Sequence, residues 1–295
     1  MDTLEQFINY IKVEKRYSRH TVRAYNDDIS QFKTFYLNQY SGSDLLLVTQ
    51  TEIREWVIQT INHTISSRSL RRKIASLNAF YKFCLRNRLI STNPVEGIIL
   101  PRIDKKLPEF IKETALDTIF EEKQFENNFS GIRNRFILEL FYATGMRLSE
   151  LINLKDDSYN DQKAELRILG KRNKERIVPL TNNIIRLLSD YMKARSEKFS
   201  QLSHNYLIVN DSGAPAYSRM IQRIVRTHLN KGTTLDQKSP HILRHTFATH
   251  MLNNGADLNA VKELLGHANL AATEIYTHNT YEKLKSIYKQ AHPRA

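Results

Sequence analysis

The chain has 295 residues, 41% hydrophobic and 25% charged, with 14 Tyr and 13 Phe, which is enough apolar surface for about two domains and excludes both a disulfide-stapled peptide and a disordered polymer. Its single cysteine, Cys84, can form neither an intrachain disulfide nor a cysteine-rich zinc site, which fits a cytoplasmic setting, and the opening MDTLEQFINY reads as neither signal peptide nor membrane span. The 44 Lys and Arg against 31 Asp and Glu give a formal charge of +13, the footprint of a polyanion binder, although charge does not separate DNA from RNA.

In chain order, the first hundred residues predict four helices. Leu4, Phe7, Ile8 and Ile11 set the first, and Tyr25, Ile29, Phe32 and Tyr36 the second. Thr49 with Glu52 marks the start of the third through a capping box, and the fourth runs from about Ser66 to Asn87. That fourth helix carries Arg68, Arg71, Arg72, Lys73, Lys82, Arg86 and Arg88 without an acid, while Ile74, Leu77, Tyr81 and Leu85 repeat on another face. A core stripe and a phosphate-facing stripe fit on one helix.

The stretch from Pro94 to Pro108, rich in proline and basic residues, predicts an extended connection, so the domains read as 1–93 and 109–295 with 94–108 as linker. Beyond it the spacing predicts helices over Thr114–Glu126 and Gly131–Ala143, the second stopped by Gly145. Ala164–Leu169 and Glu175–Leu180 predict strands flanking a positively charged turn, Gly-Lys-Arg-Asn-Lys. Further helices begin at Thr181, near Ser218, at Ser239 and at Asp257, and Leu284, Ile287 and Tyr288 share a helical face near the end.

Ser239-Pro240-His241 reads as a helix start that puts His241 and Arg244 on one face beside free backbone N–H groups, a setting suited to a phosphate. His241 and His245 have the spacing of zinc ligands, but the glutamate of a His-Glu-x-x-His site is missing. Arg147 sits between a helix stop and the next helix, where its side chain can project into a site or simply into solvent. Leu264-Leu265-Gly266-His267 hands a histidine to the turn after a helix, and Tyr276, nine residues on, reads by itself as a half-buried aromatic.

Together, Arg147, Lys171, His241-x-x-Arg244, His267 and Tyr276 resemble, in order and spacing, the signature of tyrosine recombinases. The words ATGMRLSELINL, GKRNKERIVPL, SPHILRHTFATHMLNNGADL, LGHANL and IYTH are similar to the Xer branch. The resemblance extends over nearly the whole chain. Arg172 stands where glycine is common in the family, and Ala271 and Ala272 replace frequent Ser or Thr residues; neither departure removes a catalytic group.

The resemblance implies a mainly α fold with a small β-sheet: a helical, SAM-like core-binding domain and an α+β catalytic domain that together clamp DNA. It implies that Tyr276 is the nucleophile forming a 3′-phosphotyrosyl link, with Arg147 and Arg244 clamping the phosphate. Lys171 protonates the leaving 5′-oxygen, with Lys174 as a rival in the same turn, and His241 and His267 assist proton transfer or bind the phosphate. DNA contacts are expected from Arg68, Arg71, Arg72, Lys73, Arg172 and Lys174. No cofactor, metal or membrane is expected. The implied partners are double-stranded DNA with a short inverted repeat, a tetrameric synapse with itself or a second Xer recombinase, and a DNA translocase of the FtsK type. The implied task is resolving chromosome dimers at a dif-like site, with integration of a mobile element, architectural DNA binding and type IB topoisomerase chemistry as the competing readings. The last segment, Thr280–His292, either covers its own domain or, as the resemblance implies, docks on a neighbouring protomer and couples active sites around the synapse.

Overall fold

The computed structural model describes residues 2–40, 44–62, 65–102, 109–170, 174–266 and 278–294. It separates into two compact units, Met1–Lys106 and Leu107–Ala295.

The first unit is built from α1 (Thr3–Val13), α2 (Arg19–Gln39), α3 (Gln50–Asn62) and α4 (Ser67–Arg86). Local chemistry sets the starts: Ser18 and Ser66 accept the amides of Thr21 and Ser69, each at 3.2 Å. At α3 the Glu52 carboxylate takes the Thr49 N–H at 2.8 Å and also the Thr49 hydroxyl, so the glutamate closes this end. Apolar residues at helical spacing then meet in one core, with Phe7 edge-on to Phe80 and Phe32 edge-on to Trp56 at 5.6 and 5.1 Å between ring centres. On α4 the buried stripe is Leu70, Ile74, Leu77, Tyr81 and Cys84; Leu85, expected on that face, is exposed. The start of the expected linker also belongs to this core, because Val95 is buried and Ile98 and Leu100 pack against it.

The second unit opens with α5 (Glu113–Phe120), which ends earlier than its periodicity predicts because Glu121 turns extended before a 3-10 turn at Glu122–Gln124. Its centre is α6 (Phe129–Thr144), apolar on nearly all sides and buried along most of its length. Asn128 caps its start by accepting the Gly131 N–H at 2.9 Å, and Gly145 ends it in the left-handed conformation. After α7 (Leu148–Ile152) comes an antiparallel sheet in the order β1-β2-β3, formed by Tyr159–Asn160, Glu165–Leu169 and Glu175–Pro179, with Leu166 opposite Val178 and Ile168 opposite Arg176. The two-residue β1 was not legible as a strand. Helices α8 (Asn182–Lys198), α9 (Ser218–Gly232), α10 (Pro240–Asn253), α11 (Leu258–Leu265) and α12 (His278–Ala291) complete the unit.

Helix α12 packs on its own unit. Tyr288 is buried and donates to Ala143 O at 2.9 Å, Asn254 Nδ2 donates to Ala291 O at 3.0 Å, and His292 stacks on Tyr288 with 4.9 Å between ring centres. The reason is apolar continuity: Tyr288 and Ala291 extend the same core as α6 and α10.

This packing carries a pH dependence. Burial holds His292 down to about 4, and burial does the same to His228, which stacks on Phe125 and whose Nδ1 has no hydrogen-bond partner among the described residues. Since both sit below the usual histidine value of 6.5, the unfolded chain binds more protons than the folded one between pH 6.5 and 4. Stability is therefore complete above about pH 6.5 and falls on acidification, by about 2 kcal/mol per histidine at pH 5. Urea midpoints at pH 7.5 and 5.0 check this, and a His292→Gln chain with an unchanged slope would remove His292 from the account.

Candidate active site

The site is assembled around the C-terminal ends of α6 and α11, where carbonyl groups lack intrahelical partners. Gly145 has φ 58°, and a Cβ there would stand 2.6 Å from Phe247 and 2.7 Å from Leu265, so glycine serves both the turn and the close packing of α10 and α11. Two residues on, Arg147 occupies the N-cap of α7, which directs its side chain toward the end of α11.

Two guanidiniums share one carboxylate here, and a third lies beside them on backbone carbonyls. Glu150 Oε1 accepts Arg147 Nη1 at 2.8 Å, and Glu150 Oε2 accepts both Arg176 Nη2 at 2.7 Å and the Arg147 backbone N–H at 2.8 Å. Arg244, buried one turn into α10, donates through Nη1 to Gly145 O at 2.6 Å and through Nη2 to Leu265 O at 2.8 Å. Arg176 Nε donates to Leu264 O at 2.8 Å, and Arg147 Nη2 to Gly266 O at 3.4 Å. The last carbonyls of α11 are thus each met by a different arginine.

Charge follows from this packing. Burial pushes the Glu150 carboxyl up, but the Arg176 hydrogen bond and charge, with Arg147, outweigh it and hold it below the usual carboxylate range. Burial, then repulsion from Arg147, lowers Arg244 to about 10, still charged at neutral pH. Positive charge exceeds negative in a partly dry recess, the condition for binding a phosphate diester.

Arg147 and Arg244 therefore come together. His241 lies exposed in the first turn of α10, one turn before Arg244; Ser239 is the N-cap there but makes no side-chain cap bond. Lys171, Arg172, His267 and Tyr276 lie outside the described residues. Lys174 is exposed, and its carbonyl closes the turn by accepting the Gly170 N–H at 2.7 Å. Among the described residues no His, Cys, Asp and Glu group has the arrangement of a metal site.

The expected phosphate stripe on α4 needs a correction. Arg68, Arg71 and Arg72 are exposed, and Arg71 donates to Pro101 O at 2.9 Å. Lys73 is buried, hydrogen-bonded to Gln31 and 3.6 Å from the buried Asp28, which also pairs with Arg72. Its ammonium joins α4 to α2 and does not face solvent, because position 73 falls beside Leu70, Ile74 and Leu77 on the helix.

Three kinds of residue escaped the sequence reading. Glu150 follows Arg147 by three residues in a helix start, the spacing of a capping pair. Arg176 shares the inward face of β3 with Val178, and a charge at a core-facing strand position was the available signal. On α9, Arg219, Arg223 and Arg226 form an exposed stripe opposite the buried Met220, Ile221, Ile224 and Val225, and form no salt bridge among the described residues.

Comparison with known proteins agrees with these features. Residues 109–283 match the model of the phage integrase family, and residues 4–88 match the N-terminal SAM-like domain of phage integrases. The chain is 37% identical over 293 residues to tyrosine recombinase XerC of Listeria welshimeri, covering 99% of this chain and 97% of the relative. It is 36% identical over 293 residues to tyrosine recombinase XerD of Staphylococcus epidermidis, covering 99% of each. In fold it is similar to the crystal structure of the XerH site-specific recombinase bound to palindromic difH substrate, with TM-score 0.74 and 22% identity over 96% of this chain and 83% of that one. No described helix is long and apolar enough to cross a membrane. The chain belongs to the phage integrase family, among the Xer-type tyrosine recombinases, which cleave and rejoin DNA at specific sites.

Proposed function

We propose that this recombinase exchanges strands by two transesterifications through a tyrosyl ester. The Tyr276 hydroxyl attacks the scissile phosphorus, forming a 3′-phosphotyrosyl bond as the bond to the 5′-oxygen breaks; the tyrosine loses its proton and the 5′-oxygen gains one. A 5′-hydroxyl from the partner duplex then attacks the phosphotyrosine, restoring the diester and the free tyrosine. The number of phosphodiester bonds is conserved, so no nucleotide is consumed.

The observation that supports this best is the convergence of Arg147 and Arg244. Their guanidiniums are anchored to backbone and Glu150 but retain N–H groups for the nonbridging oxygens, whose charge grows in the phosphorane transition state. Lys171 protonates the leaving oxygen, and His241 and His267 complete the site. Double-stranded DNA is gripped by Arg68, Arg71, Arg72, Arg172 and Lys174 and by the α9 stripe of Arg219, Arg223 and Arg226, which makes affinity steeply salt-dependent. The task is resolution of chromosome dimers in the cytoplasm at a dif-like inverted repeat, within a tetrameric synapse prompted by a DNA translocase of the FtsK type. Relatives named XerC and XerD, matched over 97% and 99% of their length, support that assignment.

The test is a denaturing gel for covalent protein on a nicked suicide duplex carrying a Xer-type site, in chelator. Wild type should give a shifted band and Tyr276→Phe none. A band in both would move the nucleophile elsewhere, and a wild-type band that vanishes with chelator would make the reaction metal-dependent.

A further inference from the structure

Arg176 is nearly inaccessible to solvent, at 4% exposure, and lies outside the residues given a chemical role so far. A buried arginine in a strand is expensive to desolvate, so its partners indicate what retains it. It bonds Glu150 Oε2 at 2.7 Å and Leu264 O at 2.8 Å. It also lies against two glycines. Gly266 has φ 66°, and a Cβ there would stand 3.1 Å from Arg176 Cδ and 3.2 Å from its Nη1; a Cβ at Gly170 would stand 3.6 Å from Glu150 Oε1 and 3.9 Å from Arg176 Nη1. Gly170 directly precedes Lys171 in sequence, and Gly266 directly precedes His267. One guanidinium thus bonds the end of α11 and the carboxylate that holds Arg147, and lies beside the base of the hairpin.

We propose that Arg176 is a positioning residue of the strand-transfer site: by occupying Glu150 Oε2 it keeps Arg147 bonded to that carboxylate through one amino group, so that the other, in a long 3.4 Å bond to Gly266 O, still has an N–H for the scissile phosphate. The proposal rests on the tyrosyl-transfer reading above. Glu150 offers two oxygens to two guanidiniums. With Arg176 gone, Oε2 is open to the second amino group of Arg147, and a two-toothed carboxylate pair, a strong and planar arrangement, removes the fork from the phosphate. The segment ends at Gly170 and Gly266 lose their common anchor in the same step.

The experiment compares wild type, Arg176→Met and Arg176→Lys in single-turnover adduct formation on the nicked Xer-type duplex, with either the normal phosphodiester or a methylphosphonate at the mapped cleavage point. Methylphosphonate lacks one charged oxygen, so a guanidinium clamp matters less there. Arg176→Met is expected to bind DNA within about twofold of wild type, to cleave the phosphodiester about 100-fold more slowly, and to fall within about threefold on methylphosphonate. Arg176→Lys, which keeps a charge and one donor but no fork, should lose about 10-fold on phosphodiester and show the same narrowing. If Arg176→Met does not fold, Arg176→Lys alone decides. An equal loss on both substrates, or no loss on phosphodiester, overturns the positioning role. Wild type that binds DNA but never forms an adduct overturns the tyrosyl-transfer reading, and the role of Arg176 with it.

Discussion

Arg244→Lys is expected to slow single-turnover adduct formation by about 10²- to 10³-fold while leaving DNA affinity within about threefold, because the lost group acts on charge that develops at the phosphate. Arg244 uses one N–H on each terminal nitrogen for Gly145 O and Leu265 O. Among the described residues the second N–H on each, with Nε–H, has no acceptor and remains for a ligand. Lysine offers three donors from a single point, so it cannot cap both carbonyls and still present a fork. It also loses charge more readily. Burial and the neighbouring Arg147 bring Arg244 from 12.5 to about 10. The same burial and the same neighbouring charge push a lysine down from a lower starting value, toward the neutral range. The deficit relative to wild type should therefore narrow as pH falls from 8.5 to 7, when the lysine regains its proton. Rates measured on one substrate across that range check both parts, and a deficit that stays constant with pH would mean that lost geometry, not lost charge, limits the variant.

Such a prediction draws on residues that were legible and on contacts that were not. Arg147 and Arg244 could be placed from sequence because helix stops and starts are local: Gly145 and the Ser-Pro pair fix where each arginine leaves its backbone. The four helices of the first unit and the β2–β3 hairpin were legible for the same reason, since apolar spacing and turn residues act over a few positions. What the arginines touch was not, because Arg244 meets carbonyls 99 and 21 residues away. Lys73 shows the limit on α4: the run of basic residues suggested one solvated face, but rotation along the helix puts position 73 over Asp28, a partner 45 positions earlier that no local pattern singles out. Arg176 stayed hidden because strand alternation assigns it an inward position, where a charge makes sense only once Glu150 and Leu264 have been brought in by the fold.

Tyr288→Ala should produce the largest loss of stability. Truncating a buried aromatic costs about 3–5 kcal/mol, and the change also leaves Ala143 O without its donor and His292 without the ring it stacks on. Tyr288→Phe keeps the ring and removes only the hydroxyl, for about 1 kcal/mol. The effect should reach the active site, because α12 is fastened to the helix end that the site uses. Ala143 O is taken by Tyr288 and Gly145 O by Arg244, while His292 Nε2 lies 3.4 Å from Tyr142 O. A loosened α6 terminus thus shifts the carbonyl against which Arg244 is set. Since α12 packs on its own unit, Tyr288→Ala should lower the urea midpoint, single-site DNA binding and adduct formation together, with Tyr288→Phe reduced modestly in each. If Tyr288→Ala instead keeps its urea midpoint and binds DNA normally, yet fails only where two sites must recombine, then α12 works by reaching a neighbouring protomer, and its packing on Ala143 is a resting position that the synapse releases.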